Sequence, residues 1–120
     1  MTSPEIDPHA IDPHALPSGT GCAECDETSG WWFHLRRCAA CGHIGCCDSS
    51  PGQHATHHAR DAGHPVLTSF EPGEDWFFDD RDGTVAHGPV LADPQHHPTE
   101  QGVPGPVDRV PADWRRHLHQ

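Results

Sequence analysis

Hydrophobic residues concentrate in the middle of this chain and become sparse towards both ends. The run from Trp31 to Leu35 is aromatic and aliphatic, which favours a β-strand. Alternation along such a strand creates one face that we expect in the core, made of Trp31, Phe33 and Leu35. The other face carries Trp32, His34 and Arg36. The pattern therefore predicts that the Trp32 side chain points away from the core.

One longer helix is predicted from about Pro51 to Ala62. Ser50 is a favourable N-cap, Pro51 suits the first helical position, and Gln53 follows the cap by three residues. Gly63 suits the left-handed conformation that ends many helices. The segment between these signals is long enough for about three turns.

Further strands are predicted after this helix, at 66–70, at 75–78 and, more briefly, at 84–86. The turn at 71–74 joins the first two. In the second strand Trp76 and Phe78 share a face, and Phe77 lies on the other. These elements predict an α+β fold with a twisted antiparallel sheet and one main helix.

Both ends of the chain have a different character. Residues 1–19 contain a tandem repeat of Ile-Asp-Pro-His-Ala and predict an extended leader. Residues 87–120 are rich in proline and histidine without periodicity, so we expect a disordered tail. The folded domain is therefore predicted at 20–86. Only 33% of the residues are hydrophobic, and a core this small needs additional stabilisation.

Cysteine and histidine spacing supplies a candidate for that stabilisation. Two C-x2-C pairs occur, Cys22 with Cys25 and Cys38 with Cys41, and each can bring two thiolates to one zinc ion. Four further potential ligands follow, namely Cys46, His54, His58 and His64. Because each C-x2-C pair chelates one metal, these four divide two and two, but spacing alone leaves open which of them share an ion.

Composition limits the other functions. The formal net charge is −11, and a surface that binds phosphate needs a basic face, so we expect no nucleic-acid partner. Six cysteines could form three disulfides in a secreted protein. However, the first residues have neither a basic region nor an apolar run. We therefore expect a cytoplasmic protein with reduced thiols and no membrane contact, and the absence of lysine, tyrosine and asparagine suggests a bacterial source.

The same residues resemble the UBP-type zinc finger, a module of ubiquitin-specific proteases. The resemblance extends from about Gly21 to Phe78. It rests on nine positions in a fixed order together with the aromatic segment at 76–78. It implies two cross-braced zinc ions, the first held by Cys22, Cys25, Cys46 and His54, the second by Cys38, Cys41, His58 and His64. With four protein ligands each, both sites would be structural.

The resemblance also implies a partner, because the family recognises the free Gly-Gly end of ubiquitin in an aromatic pocket. The matching positions are Trp32, Trp76 and Phe78. The family commonly has an arginine after its third cysteine element, whereas this chain has Cys47 and Asp48 after Cys46. An aspartate repels a carboxylate, so Arg36 or Arg37 is the candidate for holding the tail of a bound protein or peptide.

Two other functions fit the sequence. Cys47 is left over after the zinc ligands are counted and could be the nucleophile of a thiol enzyme. Alternatively, the 13 histidines could belong to a metal-responsive or scaffolding zinc protein without a tail pocket. We expect the non-enzymatic recognition module.

Overall fold

The computed structural model describes residues 5–119, so the first four residues of the predicted leader and the last of the predicted tail lie outside it. Its strands are all antiparallel and are ordered β2-β1-β3-β4-β5 in one sheet. They are β1 (Leu35–Cys38), β2 (Ile44–Cys46), β3 (Val66–Ser69), β4 (Phe77–Asp79) and β5 (Val85–Ala86). The helices are α1 (Ala23–Thr28) and α2 (His54–Ala62), and 3-10 turns lie at Pro8–Ala10 and Trp114–His117. The predicted α+β class is confirmed.

The first predicted strand is displaced along the chain, and the predicted orientation of Trp32 is wrong. β1 begins only at Leu35, because the chain bends at 33–34. Alternation counted from Trp31 therefore does not apply. Trp32 is 5% exposed and packs with Leu35 and Phe70 in a core cluster. Among the three residues expected in the core, only Leu35 is buried; Trp31 and Phe33 are half-buried.

Helix α2 starts later than predicted and ends where predicted. The hydroxyl of Ser50 accepts a hydrogen bond from the Phe33 backbone N–H at 2.8 Å, so it caps no helix. Gln53, in the left-handed conformation, occupies the N-cap position, and the first helical residue is His54. Gly63 ends the helix with φ +69°, as its sequence position indicates.

Strand register divides the sheet into two faces. Leu67 lies opposite Phe78, and Phe78 lies opposite Val85, so these three side chains share a face. Helix α2 packs on this face through Ala55 and Ala59, which contact Leu67. The other face carries Phe77, which clusters with Val66. The prediction that Phe77 and Phe78 point in opposite directions is confirmed.

The structure does not show the disorder expected of the tail, because leader and tail both pack on the sheet within residues 5–119. Ile6 from the leader and Leu91 from the tail are buried against Val66 and Phe77, on the face that α2 leaves bare. One helix can cover only one face of a sheet, so the second apolar face needs another cover. Two segments of low overall hydrophobicity cover this face with a few apolar side chains, of which Ile6 and Leu91 are buried.

A buried arginine joins both ends to the sheet. Arg37 in β1 is 2% exposed. Its guanidinium donates to the carbonyl of Ala15 at 2.8 Å and to the carbonyl of Pro94 at 3.0 Å. Burial lowers the pKa of Arg37, and the nearby Asp93 charge opposes that shift. Leader and tail are therefore fastened to the sheet by the same side chain.

Candidate zinc centres and an adjacent groove

Eight cysteine and histidine side chains form two separate clusters. Within each cluster the ligand atoms all lie within 4.8 Å of one another. The first contains Cys22, Cys25, Cys46 and His54, and the second contains Cys38, Cys41, His58 and His64. All six cysteines of the chain are free thiols, which argues against the disulfide alternative.

The first cluster has the dimensions of a tetrahedral site. His54 Nδ1 lies 3.2 Å from Cys22 Sγ, 3.4 Å from Cys25 Sγ and 3.4 Å from Cys46 Sγ. With Zn–S near 2.3 Å and Zn–N near 2.0–2.1 Å, a tetrahedron places sulfur and nitrogen about 3.6 Å apart. The four donors thus fit one zinc ion.

The second cluster has similar spacing. Cys38 Sγ lies 3.5 Å from His64 Nδ1, and Cys41 Sγ lies 3.3 Å from His58 Nε2. Its four donors also fit one tetrahedral zinc ion. Protein side chains therefore supply all four coordination positions in each cluster, and none is left for a reacting water. Zinc at both sites is structural.

Local geometry explains how the cysteine pairs are held. Cys22 is the N-cap of α1, and its sulfur accepts a hydrogen bond from the Cys25 backbone N–H at 3.4 Å. In the second pair, the Gly42 N–H bonds to the Cys38 carbonyl at 2.9 Å. Gly42 has φ +82°, a conformation that costs glycine least. Both pairs are therefore tight turns set by their own backbones.

Helix α2 connects the two clusters. His54 and His58 lie one helical turn apart, and each joins a different cluster. Cys46 reaches the first cluster because β2 pairs with β1, with Cys46 opposite Leu35. The Cys46 sulfur also accepts the His54 backbone N–H at 3.3 Å. The cross-braced arrangement that the resemblance implied is present.

Burial and mutual hydrogen bonds shift the pKa values of thiols in both clusters. Hydrogen bonds from Cys22 and Cys25 lower the pKa of Cys46 to about 4, although burial opposes the shift. The pKa of Cys25 is raised by its hydrogen bonds to Cys22 and Cys46. In the second cluster, burial raises the pKa of Cys38 to about 11. A bound cation would stabilise the thiolates that burial otherwise disfavours.

His43 supports the second cluster and was missed by the sequence analysis. Its ring stacks on His58 at 4.0 Å between centroids, and its Nε2 lies 2.8 Å from a Glu24 oxygen. Burial lowers the pKa of His58, and the adjacent His43 and His64 contribute to the same shift. His58 is therefore held in the neutral form that binds metal.

An open groove lies on the sheet face beside α2. It has a volume of about 420 Å³ and is lined by Arg36, Trp76 and Phe78 together with His34, Cys47 and Asp48. The Arg36 guanidinium lies 4.7 Å from the centre of the Trp76 ring. Three of the four predicted peptide-binding residues are thus brought together. Arg37, the other candidate cation, is buried on the opposite face.

Trp32 is the predicted binding residue that lies away from the groove. Its backbone pairs with Gly105 through hydrogen bonds of 2.8 and 3.0 Å. The Arg109 guanidinium lies 5.4 Å from the centre of the Trp32 ring and donates to the Cys25 carbonyl at 3.1 Å. The indole lies among the ligands of the first cluster, beneath the tail.

A buried carboxylate stands behind the groove. Glu71 is 7% exposed. Its oxygens lie 3.2 Å from His34 Nδ1, 3.0 Å from the Leu35 backbone nitrogen and 3.0 Å from His97 Nε2. Burial would raise the pKa of Glu71, but hydrogen bonds from His34, Leu35 and His97 together lower it. From the sequence, Glu71 is predicted only as part of a turn.

Cys47 lies in the wall of the groove, and no imidazole among residues 5–119 is hydrogen-bonded to its sulfur. It is 5% exposed, and its Sγ lies 3.3 Å from the Ser50 hydroxyl. A thiol nucleophile needs a base in hydrogen-bonding reach. The observed partner is a hydroxyl, so the geometry does not favour the thiol enzyme.

No helix among residues 5–119 is long and apolar enough to cross a membrane. The cytoplasmic location, the bacterial source and the absence of nucleic-acid and membrane partners stay predictions.

Comparison with known proteins identifies relatives of the chain. The family model for the zinc finger in ubiquitin hydrolases and other proteins matches residues 22–88, which include all eight ligands. A protein from Rhodopseudomonas palustris, determined by solution NMR, is 38% identical to this chain and superimposes with a TM-score of 0.60. The match covers 76% of this chain and 85% of that protein. No curated protein matches the chain.

Proposed function

Because the chain belongs to the UBP-type zinc-finger family, we propose that it recognises the free C-terminal tail of a protein in the groove beside α2. It contributes no catalysis, and its two zinc ions hold the groove in shape. The observation that carries the proposal is the grouping of Arg36, Trp76 and Phe78 around an open volume of about 420 Å³.

The chemistry of the groove supports a small, extended ligand. Two aromatic walls favour a slender segment such as a Gly-Gly end, as in a ubiquitin-like tail. Arg36 supplies the charge for a carboxylate, and its position over the Trp76 ring keeps the guanidinium at the groove. Asp48 also lines the groove. It disfavours the carboxylate there, so the proposed ligand places its carboxylate at the Arg36 end.

Trp32 has a supporting role in this proposal. Its indole packs against Leu35, the residue from which β1 starts, one residue before Arg36. We assign tail contact to Arg36, Trp76 and Phe78, and to Trp32 the support of the strand that carries the arginine.

Calorimetry with two versions of a Gly-Gly-terminated peptide tests the proposal. The free acid is expected to bind at least about tenfold more tightly than the amide, since a charge-assisted hydrogen bond is worth roughly 1.5–3 kcal/mol. Arg36→Gln should remove this preference, and Trp76→Ala should weaken both peptides. Arg60→Gln is the matched control, because Arg60 is exposed and pairs with Asp80. Equal affinity for acid and amide would rule out tail capture.

A further inference from the structure

His34 shares the groove with Arg36 and is held in a fixed orientation. Its Nδ1 lies 3.2 Å from Glu71 Oε1, and its ring packs on Phe33 with 4.1 Å between centroids. Because the pKa of Glu71 is lowered, the carboxylate is ionised near neutral pH and accepts hydrogen bonds. The hydrogen on His34 is therefore held on Nδ1 by its acceptor.

The second nitrogen of His34 is available to a ligand. Within residues 5–119 its Nε2 forms no hydrogen bond, although the side chain is 37% exposed and lines the groove. Glu71 itself cannot turn away, because the Leu35 N–H and His97 hold its other oxygen at 3.0 Å each. The structure thus presents an imidazole whose Nδ1 is bonded to Glu71 and whose Nε2 can bind a ligand.

Arg36 by itself leaves part of a carboxylate unsatisfied. One of its terminal nitrogens, Nη1, donates to the Leu35 carbonyl at 3.0 Å, and the guanidinium lies over Trp76. A carboxylate has two oxygens that each accept hydrogen bonds. A second donor on the same side of the groove would complete its binding.

We propose that His34 is a second anchor for the carboxylate of the captured tail, positioned by Glu71 and acting with Arg36; this rests on the proposed function. To donate from Nε2 while Nδ1 bonds to Glu71, the ring carries both hydrogens and binds as imidazolium. The bound carboxylate is then contacted by two cations, with Glu71 behind one of them.

Charged and titratable groups around His34 come from several elements. Glu71 and His97 lie behind its ring, Arg36 lies two residues later in β1, and Asp48 and the Cys47 thiol also line the groove.

The first experiment compares His34→Gln with wild type on the free-acid and amide peptides. The variant is expected to lose about tenfold in affinity for the acid and to bind the amide as before. Unchanged binding of the acid, or an equal loss for both peptides, would overturn the role of His34. If wild type itself fails to prefer the acid, the proposed function fails first, so the two failures are distinguishable.

A positioning variant and a spectroscopic signature complete the test. Glu71→Gln, which loses the positioning charge, should weaken acid binding with zinc content intact.

In wild-type protein the ¹⁵N shift of His34 Nε2 should move on adding the acid but not the amide. This measurement uses wild-type protein, so it does not depend on the folding of a variant. An unmoved Nε2 in the presence of bound acid would overturn the proposal.

Discussion

Gly45 lies directly beneath Ala55, so closely that a side chain at position 45 would stand 2.6 Å from the Ala55 backbone nitrogen. The same added carbon would lie 2.8 Å from the Ala55 Cα. Helix α2 therefore rests on β2 with no intervening side chain. This contact brings His54, at the start of the helix, to Cys46, at the end of the strand.

Gly45→Ala is expected to destabilise the zinc-loaded protein by about 1–3 kcal/mol, because the backbone of α2 must move away. Denaturant unfolding followed by tryptophan fluorescence measures the loss. Gly19→Ala is the matched control, since nothing lies within 4 Å of a side chain added there. Equal stability of the two variants would contradict direct packing of helix on strand.

Cys22→Ser should remove the first zinc ion, because a buried hydroxyl replaces one of three thiolates in that cluster. Native mass spectrometry should show two zinc ions in wild type and at most one in the variant. Cys47→Ser, which changes the buried cysteine outside both clusters, should keep two. An excess of chelator should unfold wild type, since structural zinc supplies on the order of 10 kcal/mol per site. Loss of zinc from Cys47→Ser would disprove the assignment of ligands.

Arg37→Met is expected to release the leader and the tail while both zinc ions remain bound. The substitution removes the hydrogen bonds to Ala15 and Pro94, which are donated by a charged group. Hydrogen exchange should accelerate about tenfold or more at the Asp12 and Ala92 amides, which bond to Ala39 and Pro13 at 2.8 Å.

The control for that variant is Arg60→Met, at an exposed residue of α2 whose partner is Asp80. It should leave exchange at both amides unchanged. Equal protection at these amides in Arg37→Met would show that burial of Ile6 and Leu91 holds the ends without the arginine.

Glu71→Gln is expected to make stability less dependent on pH. The pKa of Glu71 is lowered in the folded state from an ordinary value of 4.5. Its stabilising contribution is therefore present above about pH 4.5 and is lost as pH falls through the lower folded value. Wild type should exceed the variant by about 1–3 kcal/mol at pH 7, and the difference should narrow below pH 4.5.

Because acid also weakens zinc binding, the two proteins are compared at each pH by denaturant unfolding. Glu100→Gln, at an exposed carboxylate, should follow wild type throughout. A difference between wild type and Glu71→Gln that stays constant from pH 7 to below pH 4.5 would show that the charge of Glu71 is not responsible.

Elements set by near neighbours could be predicted from the sequence. Cys22 and Cys25 are joined by two residues, so their sulfurs can reach one ion whatever the rest of the chain does. The helical period puts His54 and His58 on one face. Alternation in β4 separates Phe77 from Phe78, and Gly63 ends α2 through its own backbone freedom.

Contacts between distant segments required the tertiary structure. Pairing of β2 with β1 brings Cys46 to the first cluster, a division that spacing left open and only the family resemblance implied. Trp32 lies beneath the tail, because its backbone pairs with Gly105, which is about 70 residues further along the chain. No local sequence pattern predicts the pairing of Glu71 with His97, because the two side chains meet only in the folded protein.

The sequence by itself determined the metal donors, the class of fold and the aromatic side chains of the groove. These depend on residue type and on the few neighbours that set a turn or a period. The tertiary structure decided the register, the burial of Trp32 and the packing of both ends, because these depend on which faces remain uncovered once α2 has taken one side of the sheet. A sheet face left bare must be covered, and nothing local to residues 5–19 or 87–119 indicates that they cover it.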